Sequence, residues 1–474
     1  MRRFVNFKFE IVLFLCSVGL LGVVFLGISK LVQPGPFRGQ TELTSEQAKS
    51  TPDASLDNTS LGDRLSDGTQ SLLPEPSQLK QQGISAYAKG DYAQAVVAFE
   101  AALQADKNDP ETFIYLNNAR IADRDHHTLA VIAPVGNVGE IGLEILRGAG
   151  QAQQDLNQRA ETEGVPIRIL IVNDENDADV AASLAKALVN RPDVLGVLGH
   201  YSSGVTLAAA PIYNRGKLPM MSAISTSVQL SGLSPYVFRT VPSDSFAAAT
   251  LARYMLEDLG AQKAVLYYDS NSAYSLSLKS EFSTSVFGDG GEIITEYDLA
   301  DPQLDAQAQI AAAQEKDADV IMLASSTDTL EPSLEVIAAA QQQFPLLGGD
   351  DLYHPEILKA GGENAEGLVV AVPWHVLSDA DSEFVQASRQ IWGGDVSWRT
   401  AMAYDALVAL GTAGSQAPSR EGIQTALADT NFSVQGATGN VDFLPSGDRN
   451  RAAQLVQIQS GQRSSFGFDF IPID

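Results

Sequence analysis

The sequence VLGVLGHYSSGVTLAAAPIYNRGKLPMMSAISTS occupies residues 194–227 and contains the pattern on which the fold prediction depends. VLGVL and KLPMMS are short apolar runs, typical of buried strands, and residues 203–215 between them are predicted to form a helix. Continuous apolar strands that alternate with helices are typical of a parallel sheet covered on both faces. This stretch therefore predicts a strand–helix–strand unit of an α/β fold.

The same alternation extends in both directions along the chain. The strands TLAVIA and RILIVND come before it, and a second series follows: KAVLYYD, GEIITEY, ADVIMLAS, FPLLGG and GLVVAV. Further helices are predicted near residues 141–158, 177–190, 245–259, 273–287, 303–316 and 329–343. Because two such series are more than one sheet comfortably holds, the sequence predicts two doubly wound, Rossmann-like lobes within residues 127–474.

Three segments of different character precede this domain. Residues 1–32 contain an uncharged apolar run at 11–28, about 27 Å long as a helix, which predicts an uncleaved membrane anchor. Residues 33–76 are rich in Pro, Ser, Thr, Asp, Gln and Gly and predict a disordered linker. Residues 77–124 place small and aromatic residues at helix-turn-helix spacings and resemble a single tetratricopeptide repeat. That segment is either a spacer packed on the main domain or a protein-docking module.

The composition excludes several classes of function. The formal net charge of −27 repels nucleic-acid phosphate, and the body has no Lys/Arg cluster to offset it. The single cysteine, Cys16, allows no intrachain disulfide, and the five scattered histidines have no spacing typical of a zinc site. We therefore expect no metal, no cofactor and no nucleic-acid partner.

Two hydroxyl-rich turns follow neighbouring predicted strands, at residues 199–204 (GHYSSG) and 222–227 (SAISTS). A turn from strand to helix directs free N–H groups and the positive end of the helix dipole to one point, where Ser202 and Ser203 add donors. Ligands of open α/β sheets bind beyond the carboxyl ends of strands. The turns predict an anion-binding crevice, and the alternative for the first is that its serines only cap the helix.

A third motif, GGDD at residues 348–351, follows the predicted strand FPLL. Glycine allows the backbone to approach a ligand closely, and an aspartate at a strand end can pair with an ammonium group. The alternative is an ordinary solvated turn, since Asp and Gly are common there.

Four blocks of sequence together resemble a known family: APVGNVGEIGLEILRGAGQAQQDLN, NDENDADVAASLAKALV, the stretch from residue 199 to residue 227, and YVFRTVPSDS. They are similar to the type I periplasmic binding proteins of ABC transporters, within these to the branched-chain amino-acid-binding group and its amide- and urea-binding relatives. The likeness covers residues 128–474. It implies two lobes that close on a ligand at a hinge, lobe 1 containing residues 127–243 and 373–435 and lobe 2 residues 244–372 and 436–474. It also implies a main domain in the periplasm, which the predicted anchor would hold at the inner membrane as a single-pass protein.

The resemblance implies a set of ligand-binding residues. Ser203, beside Ser202, matches the serine that holds the ligand's α-carboxylate, and Thr226 matches a residue that contacts both the carboxylate and the ammonium group, with backbone near Ile224 and Ser225.

Lobe 2 is expected to supply the groups that bind the positive end of the ligand. Asp350 stands where the family offers an acid to the α-ammonium group, and Tyr274 matches a tyrosine of the second lobe. At Ser326 the leucine-binding members have bulky aromatic residues, as they do near Ile141, so leucine is not implied. Trp374 is expected either to line the crevice or to pack in the core.

An enzymatic function is disfavoured. A serine hydrolase would use Ser202 or Ser203 with His200, but the motif is not G-x-S-x-G and a histidine on the same turn is poorly placed as a base. A nucleotide site at Gly196 and Gly199 lacks a complete glycine fingerprint. The sequence predicts a binding protein that either delivers its ligand to an ABC transporter permease or acts as an anchored sensor or scaffold.

Overall fold

The computed structural model describes residues 61–136, 139–162 and 164–473. The predicted membrane anchor at residues 11–28 and the predicted linker as far as residue 60 lie outside these residues. Among the described helices, none is both long and apolar enough to span a membrane.

Lobe 1 is built first along the chain. Its elements are β1 (Leu65–Ser66), α1 (Gln78–Ala88), α2 (Tyr92–Ala105), α3 (Pro110–Ile121), β2 (His127–Ile132), α4 (Gly139–Arg159), β3 (Ile167–Val172), α5 (Ala178–Val189), β4 (Val194–Leu198), α6 (Ser203–Arg215), β5 (Met220–Ser222) and β6 (Val237–Arg239). The six strands form one sheet in the order β1-β3-β2-β4-β5-β6, in which every neighbouring pair is parallel except β1 with β3.

Lobe 2 follows, and the chain then returns to each lobe once more. Lobe 2 begins with α7 (Asp244–Arg253), β7 (Lys263–Tyr268), α8 (Ala273–Gly288), β8 (Glu292–Asp298), α9 (Ala306–Glu315), β9 (Val320–Ala324), α10 (Leu330–Ala340), β10 (Leu346–Gly348) and β11 (Val369–Val372). The chain returns to lobe 1 with α11 (Glu383–Trp392), α12 (Trp398–Gln416), α13 (Arg420–Leu427) and the hairpin β12 (Val434–Gly436) and β13 (Gly439–Val441). It ends in lobe 2 with β14 (Gln454–Ser460) and β15 (Phe468–Ile473).

The sheet of lobe 2 has the order β15-β14-β11-β10-β9-β7-β8. The strands from β7 to β11 are parallel, and β14 and β15 extend the sheet as antiparallel strands. The chain therefore crosses between the lobes three times. This arrangement confirms the predicted two-lobed α/β fold.

The strands of lobe 1 are apolar along their whole length because both faces of the sheet are covered. Leu129 and Val131 of β2 point to one face and join a core cluster with α4 and α12, whereas Ala130 and Ile132 point to the other and pack with α5 and α6. Burying a leucine, valine or isoleucine side chain stabilises the fold by about 1.5–3 kcal/mol. Continuous apolar strands thus place the polar residues in the loops at the strand ends, where the site lies.

The helical segment α1–α3 packs against lobe 1. Phe113 of α3 contacts Trp392 of α11 with ring centroids 4.9 Å apart. Asn118 is fully buried, donates to the Ile169 carbonyl at 2.8 Å and accepts from the Ile169 N–H at 3.0 Å. These bonds give the backbone N–H and carbonyl of Ile169 in β3 their hydrogen-bond partners. The helical segment is therefore part of the packed structure of lobe 1.

Residues 61–76, assigned to the disordered linker from their composition, instead are ordered against lobe 1. Leu65 and Ser66 pair with β3 as an antiparallel edge strand. The Tyr115 hydroxyl donates to the Gln70 carbonyl at 2.8 Å, and the Leu72 N–H donates to the Glu111 carboxylate at 2.6 Å. Partners far along the chain order this segment despite its polar composition.

Candidate ligand-binding site

A cavity of about 290 Å³ lies between the lobes, at the carboxyl ends of strands from both sheets. Lobe 1 contributes the loops after β3, β4 and β5, and lobe 2 contributes the loops after β7, β9 and β10. The cavity brings together most of the predicted site residues, which come from both lobes: Ser202, Ser203, Ile224, Ser225, Thr226, Tyr274, Ser326 and Asp350.

Among the described residues three α-helices begin at the wall of this cavity, and one of the three lacks a side-chain cap. Asp177 caps α5 and Ser272 caps α8, each with its own side chain. Ser202 precedes α6, but its hydroxyl accepts no capping hydrogen bond from the described N–H groups. The first N–H groups of a helix have no partner within the helix, and they carry the positive end of its dipole. The N-terminus of α6 is therefore open to an anion, and helix capping does not account for Ser202.

The neighbouring turn at residues 222–227 is held rigidly by buried side chains. The Ser225 hydroxyl donates to the Tyr201 carbonyl at 3.0 Å and lies 2.6 Å from the Thr206 hydroxyl. Arg239 donates through Nη1 to the Ser227 carbonyl at 2.8 Å and through Nε to Asp448 at 2.5 Å. These contacts fix the positions of the backbone and of Thr226 at the cavity wall.

On the side of lobe 2 the cavity presents a buried carboxylate and a buried phenol. Asp350 is 8% exposed, and burial, together with the nearby charge of Asp351, raises its pKa to about 8. Burial also raises the pKa of the Tyr274 hydroxyl, which has no hydrogen-bond partner of suitable geometry among the described residues. A Cβ at Gly349 would overlap the Tyr274 hydroxyl, so only glycine lets the phenol lie against this turn. An ammonium group beside Asp350 would remove the cost of burying its charge.

Asp351 and Arg399 were not predicted from the sequence. Arg399, at the start of α12, is 2% exposed and donates to the backbone carbonyl of Asp350 at 3.4 Å. It also forms an ion pair with Asp351 at 3.4 Å, and Asp351 accepts from the Thr327 N–H at 3.1 Å. Arg399 belongs to the segment WRTAMAYDALVAL, whose small and apolar residues at helical spacing predict a core helix, and nothing in that pattern distinguishes Arg399 from a surface arginine.

Hydrogen bonds between the lobes hold the cavity closed. The Tyr201 hydroxyl of lobe 1 lies 2.5 Å from the Thr327 hydroxyl of lobe 2, and the Val228 N–H donates to the Ser277 hydroxyl at 3.0 Å. Opposed binding groups on two closed lobes are typical of proteins that sequester a small ligand.

A family model described as periplasmic binding protein matches residues 128–463 of the chain, which form these two lobes. The chain belongs to this family.

Individual proteins similar to this periplasmic binding protein support the same family assignment. The Leu/Ile/Val-binding protein of Escherichia coli (strain K12) is 24% identical over 305 residues, an alignment that covers 62% of this chain and 80% of that protein. The leucine-specific-binding protein of Salmonella typhimurium is 25% identical over 289 residues, covering 60% and 76%. The crystal structure of a leucine-binding protein from Thermotoga maritima is 26% identical, with a TM-score of 0.62, and covers 73% of this chain and 97% of that chain. These relatives are substrate-binding proteins, which confirms that the chain is not an enzyme.

The surroundings of His200 agree with this assignment. Nδ1 of His200 lies 2.7 Å from the Asp174 carboxylate, and Nε2 lies 3.1 Å from the Tyr213 hydroxyl. Both ring nitrogens are thus engaged inside lobe 1, where the side chain is buried. His200 has no nitrogen left to activate Ser202 or Ser203 as a nucleophile.

Three residues considered in the sequence analysis have surroundings in this binding protein that their local sequence does not indicate. Trp374 is 2% exposed and packs against Phe384 in the core, so it does not line the cavity; an indole after a buried strand is more easily accommodated in the core than at a polar wall. Ser326 does line the cavity, but its hydroxyl donates to Asp269 at 2.6 Å. Ile141 lines a separate cavity of about 310 Å³.

Proposed function

We propose that this chain is an extracytoplasmic binding protein whose lobes close on a small α-amino acid or amide-like ligand and deliver it to the permease of an ABC transporter. One observation carries the proposal: across a cavity of about 290 Å³, an uncapped helix N-terminus on lobe 1 faces a buried acid and phenol on lobe 2.

Each end of a zwitterion has its own place in this arrangement. The ligand's carboxylate accepts hydrogen bonds from the first N–H groups of α6 and from the hydroxyls of Ser202, Ser203 and Thr226, while backbone groups near Ile224 and Ser225 complete this wall. The ammonium group pairs with Asp350 beside Tyr274. Because the two ends are bound by different lobes, the ligand stabilises the closed state relative to the open one. Burial of an unpaired Asp350 charge opposes closure without a ligand.

The names of the relatives support an amino acid as the ligand. The curated relatives described above are a Leu/Ile/Val-binding protein and a leucine-specific-binding protein. An amide-like ligand would use the same N–H groups, but it would leave Asp350 without a cationic partner. The pairing of both ends therefore favours an amino acid over an amide.

Ser202→Asp tests the binding of the ligand's carboxylate. An aspartate at this position caps α6 with its own carboxylate and repels that of the ligand. We expect the amino acid that binds the parent protein most tightly, in a calorimetric screen of the common amino acids, to bind the variant at least about 30-fold more weakly, a loss of about 2 kcal/mol. The empty variant is expected to unfold at a higher temperature than the empty parent.

Ser202→Asn is the matched control, because asparagine caps a helix about as well as aspartate but carries no charge. It is expected to lose less affinity than Ser202→Asp. Equal affinity of the parent and Ser202→Asp for the amino acid would contradict the proposed carboxylate site.

We further propose that residues 11–28 anchor the protein in the inner membrane, with the main domain in the periplasm. The uninterrupted apolar run supports this part of the proposal. The resemblance of residues 77–124 to a tetratricopeptide repeat supports the other candidate role, an anchored sensor or scaffold that a partner protein reads.

Uptake measurements distinguish delivery from sensing. If the protein delivers its ligand, a strain that lacks the chain is expected to take up the bound amino acid at least about tenfold more slowly at concentrations below the dissociation constant, where binding limits capture. Re-expression of the parent restores uptake, and Asp350→Ala does not. Unchanged uptake in the deletion strain, with binding intact in vitro, would contradict delivery and favour the sensor.

A further inference from the structure

The charged side chains at the cavity are all of one sign. Asp177, Asp328, Asp350 and Asp351 line it, and among the described lining residues there is no lysine, arginine or histidine. A neutral amino acid requires a single carboxylate, for its ammonium group. The cavity therefore has more negative charge than such a ligand would balance.

The two inner acids are accounted for. Asp351 is bound from behind the wall by the guanidinium group of Arg399 at 3.4 Å. Asp350 is assigned to the α-ammonium group under the proposed function. What is left is the pair Asp177 and Asp328.

These two aspartates lie at the mouth of the cavity, one on each lobe. Both are exposed; Asp177 precedes α5 of lobe 1, and Asp328 follows β9 of lobe 2. Asp177 uses Oδ1 to cap α5, with its oxygen 2.9 Å from each of two N–H groups, which leaves Oδ2 available. Because both negative charges line one cavity they repel each other, and a cation bound between them relieves the repulsion.

The interior of the cavity indicates independently that a ligand completes it. The Tyr274 hydroxyl is buried at the wall, with no hydrogen-bond partner of suitable geometry among the described residues. A buried polar group without a partner costs free energy, which a ligand removes by bonding to it. Groups that can bind a ligand therefore extend from Tyr274 and Asp350 at the inner wall to the two aspartates at the mouth.

We infer that the ligand is an α-amino acid with a positively charged side chain. The inference rests on the proposed function, since it assumes that the α-carboxylate and α-ammonium groups occupy α6 and Asp350. An extended side chain then leads outward, and its cationic end lies between Asp177 and Asp328. The excess of acidic over basic residues in the whole chain, 58 against 31, adds long-range attraction for a cationic ligand.

Arginine and citrulline provide the direct test, because they have nearly the same shape and differ in the charge at the far end of the side chain. In calorimetric titrations of the full-length chain we expect arginine to bind at least about tenfold more tightly than citrulline at low salt. The double variant Asp177→Asn/Asp328→Asn is expected to reduce this ratio to about twofold or less. Asparagine also caps helices well, so α5 keeps its start.

A matched variant separates local recognition from overall charge, and a salt titration shows that the discrimination is electrostatic. Asp179→Asn removes an exposed charge from the same helix at a residue that does not line the cavity, and the arginine-to-citrulline ratio is expected to stay as in the parent. Raising NaCl from about 0.02 to about 0.5 M is expected to lower the ratio in the parent, since exposed charges are screened.

The outcomes also separate this inference from the proposed function. Equal affinities of the parent for arginine and citrulline would overturn the inference and leave amino-acid binding intact. If neither these two nor any other amino acid bound, the proposed function itself would be overturned. A preference for arginine that survives in the double variant would also overturn the assignment to Asp177 and Asp328.

Discussion

Replacing Asp350 by alanine is expected to weaken the binding of an α-amino acid by about 100-fold or more. The ligand's ammonium group would be buried in a closed cavity without its carboxylate partner, and removing one member of a buried ion pair costs about 3–5 kcal/mol. Arg399 neutralises Asp351, so that neighbouring carboxylate is a poor substitute. Calorimetric titration of the parent and the variant with the amino acid that the parent binds measures the change.

The stability of the empty Asp350→Ala protein shows whether the loss is local. Burial and Asp351 raise the pKa of Asp350 to about 8, so the ionised carboxylate is unfavourable in the closed, empty cavity. Its removal is therefore expected to leave the thermal unfolding temperature unchanged or higher at pH 8. Asp289→Ala is the matched control: this aspartate is exposed on lobe 2, away from the cavity, and its replacement is expected to leave affinity unchanged. An Asp350→Ala protein that binds as tightly as the parent would refute the ammonium site.

The second large effect, on the free energy of unfolding, is expected at Arg239, to which the proposed function assigns no contact with the ligand. The residue is 1% exposed, and its guanidinium group bonds to Asp448, to the backbone carbonyls of Ser225 and Ser227 and to the Ser231 hydroxyl. Arg239→Ala leaves the charge of Asp448 and these carbonyls without their donor. We expect a loss of about 3–5 kcal/mol in the free energy of unfolding, measured by denaturant titration.

Two further variants define how Arg239 acts. Arg215→Ala removes an exposed arginine at the end of α6 and is expected to change the free energy of unfolding by less than about 0.5 kcal/mol. Arg239→Lys keeps a positive charge for Asp448 but lacks the planar fork that reaches two carbonyls, so it is expected to recover only part of the stability. A loss of less than about 1 kcal/mol in Arg239→Ala would show that the turn at residues 222–227 does not depend on this side chain.

Arg239 also connects the stability of the fold to the geometry of the site. Its partners span residues 225 to 448, so it ties the turn that carries Thr226 to the loop that leads into β14. Because binding groups must be held closely in place to be effective, ligand affinity is expected to fall together with stability in Arg239→Ala. In Asp350→Ala the two properties separate, and this contrast distinguishes a positioning residue from a binding residue.

The sequence by itself determined the class of the fold and most of the residues at the cavity. Apolar runs separated by amphipathic stretches require sheets buried on both faces, and polar residues then collect at the strand ends. Ser203, Thr226 and Asp350 each follow a predicted strand, so the position of each at the carboxyl edge of its own sheet follows from local pattern alone. The resemblance to the family added the prediction of which lobe binds each end of the ligand.

The tertiary structure decided which of these side chains are free to bind and which are engaged elsewhere. Ser202 and Ser272 both precede helices, yet only Ser272 caps its helix, and Ser326 turns its hydroxyl to Asp269. Trp374 packs in the core, Arg399 bonds to Asp350 and Asp351 from behind the cavity wall, and Leu65 and Ser66 form an edge of the sheet. Three of these outcomes depend on partners about 50 to 107 residues away along the chain: Asp269 for Ser326, Asp350 for Arg399 and β3 for Leu65 and Ser66. Local periodicity fixes the direction of a side chain from its own helix or strand, but the group that it meets there is set by packing between elements distant in sequence.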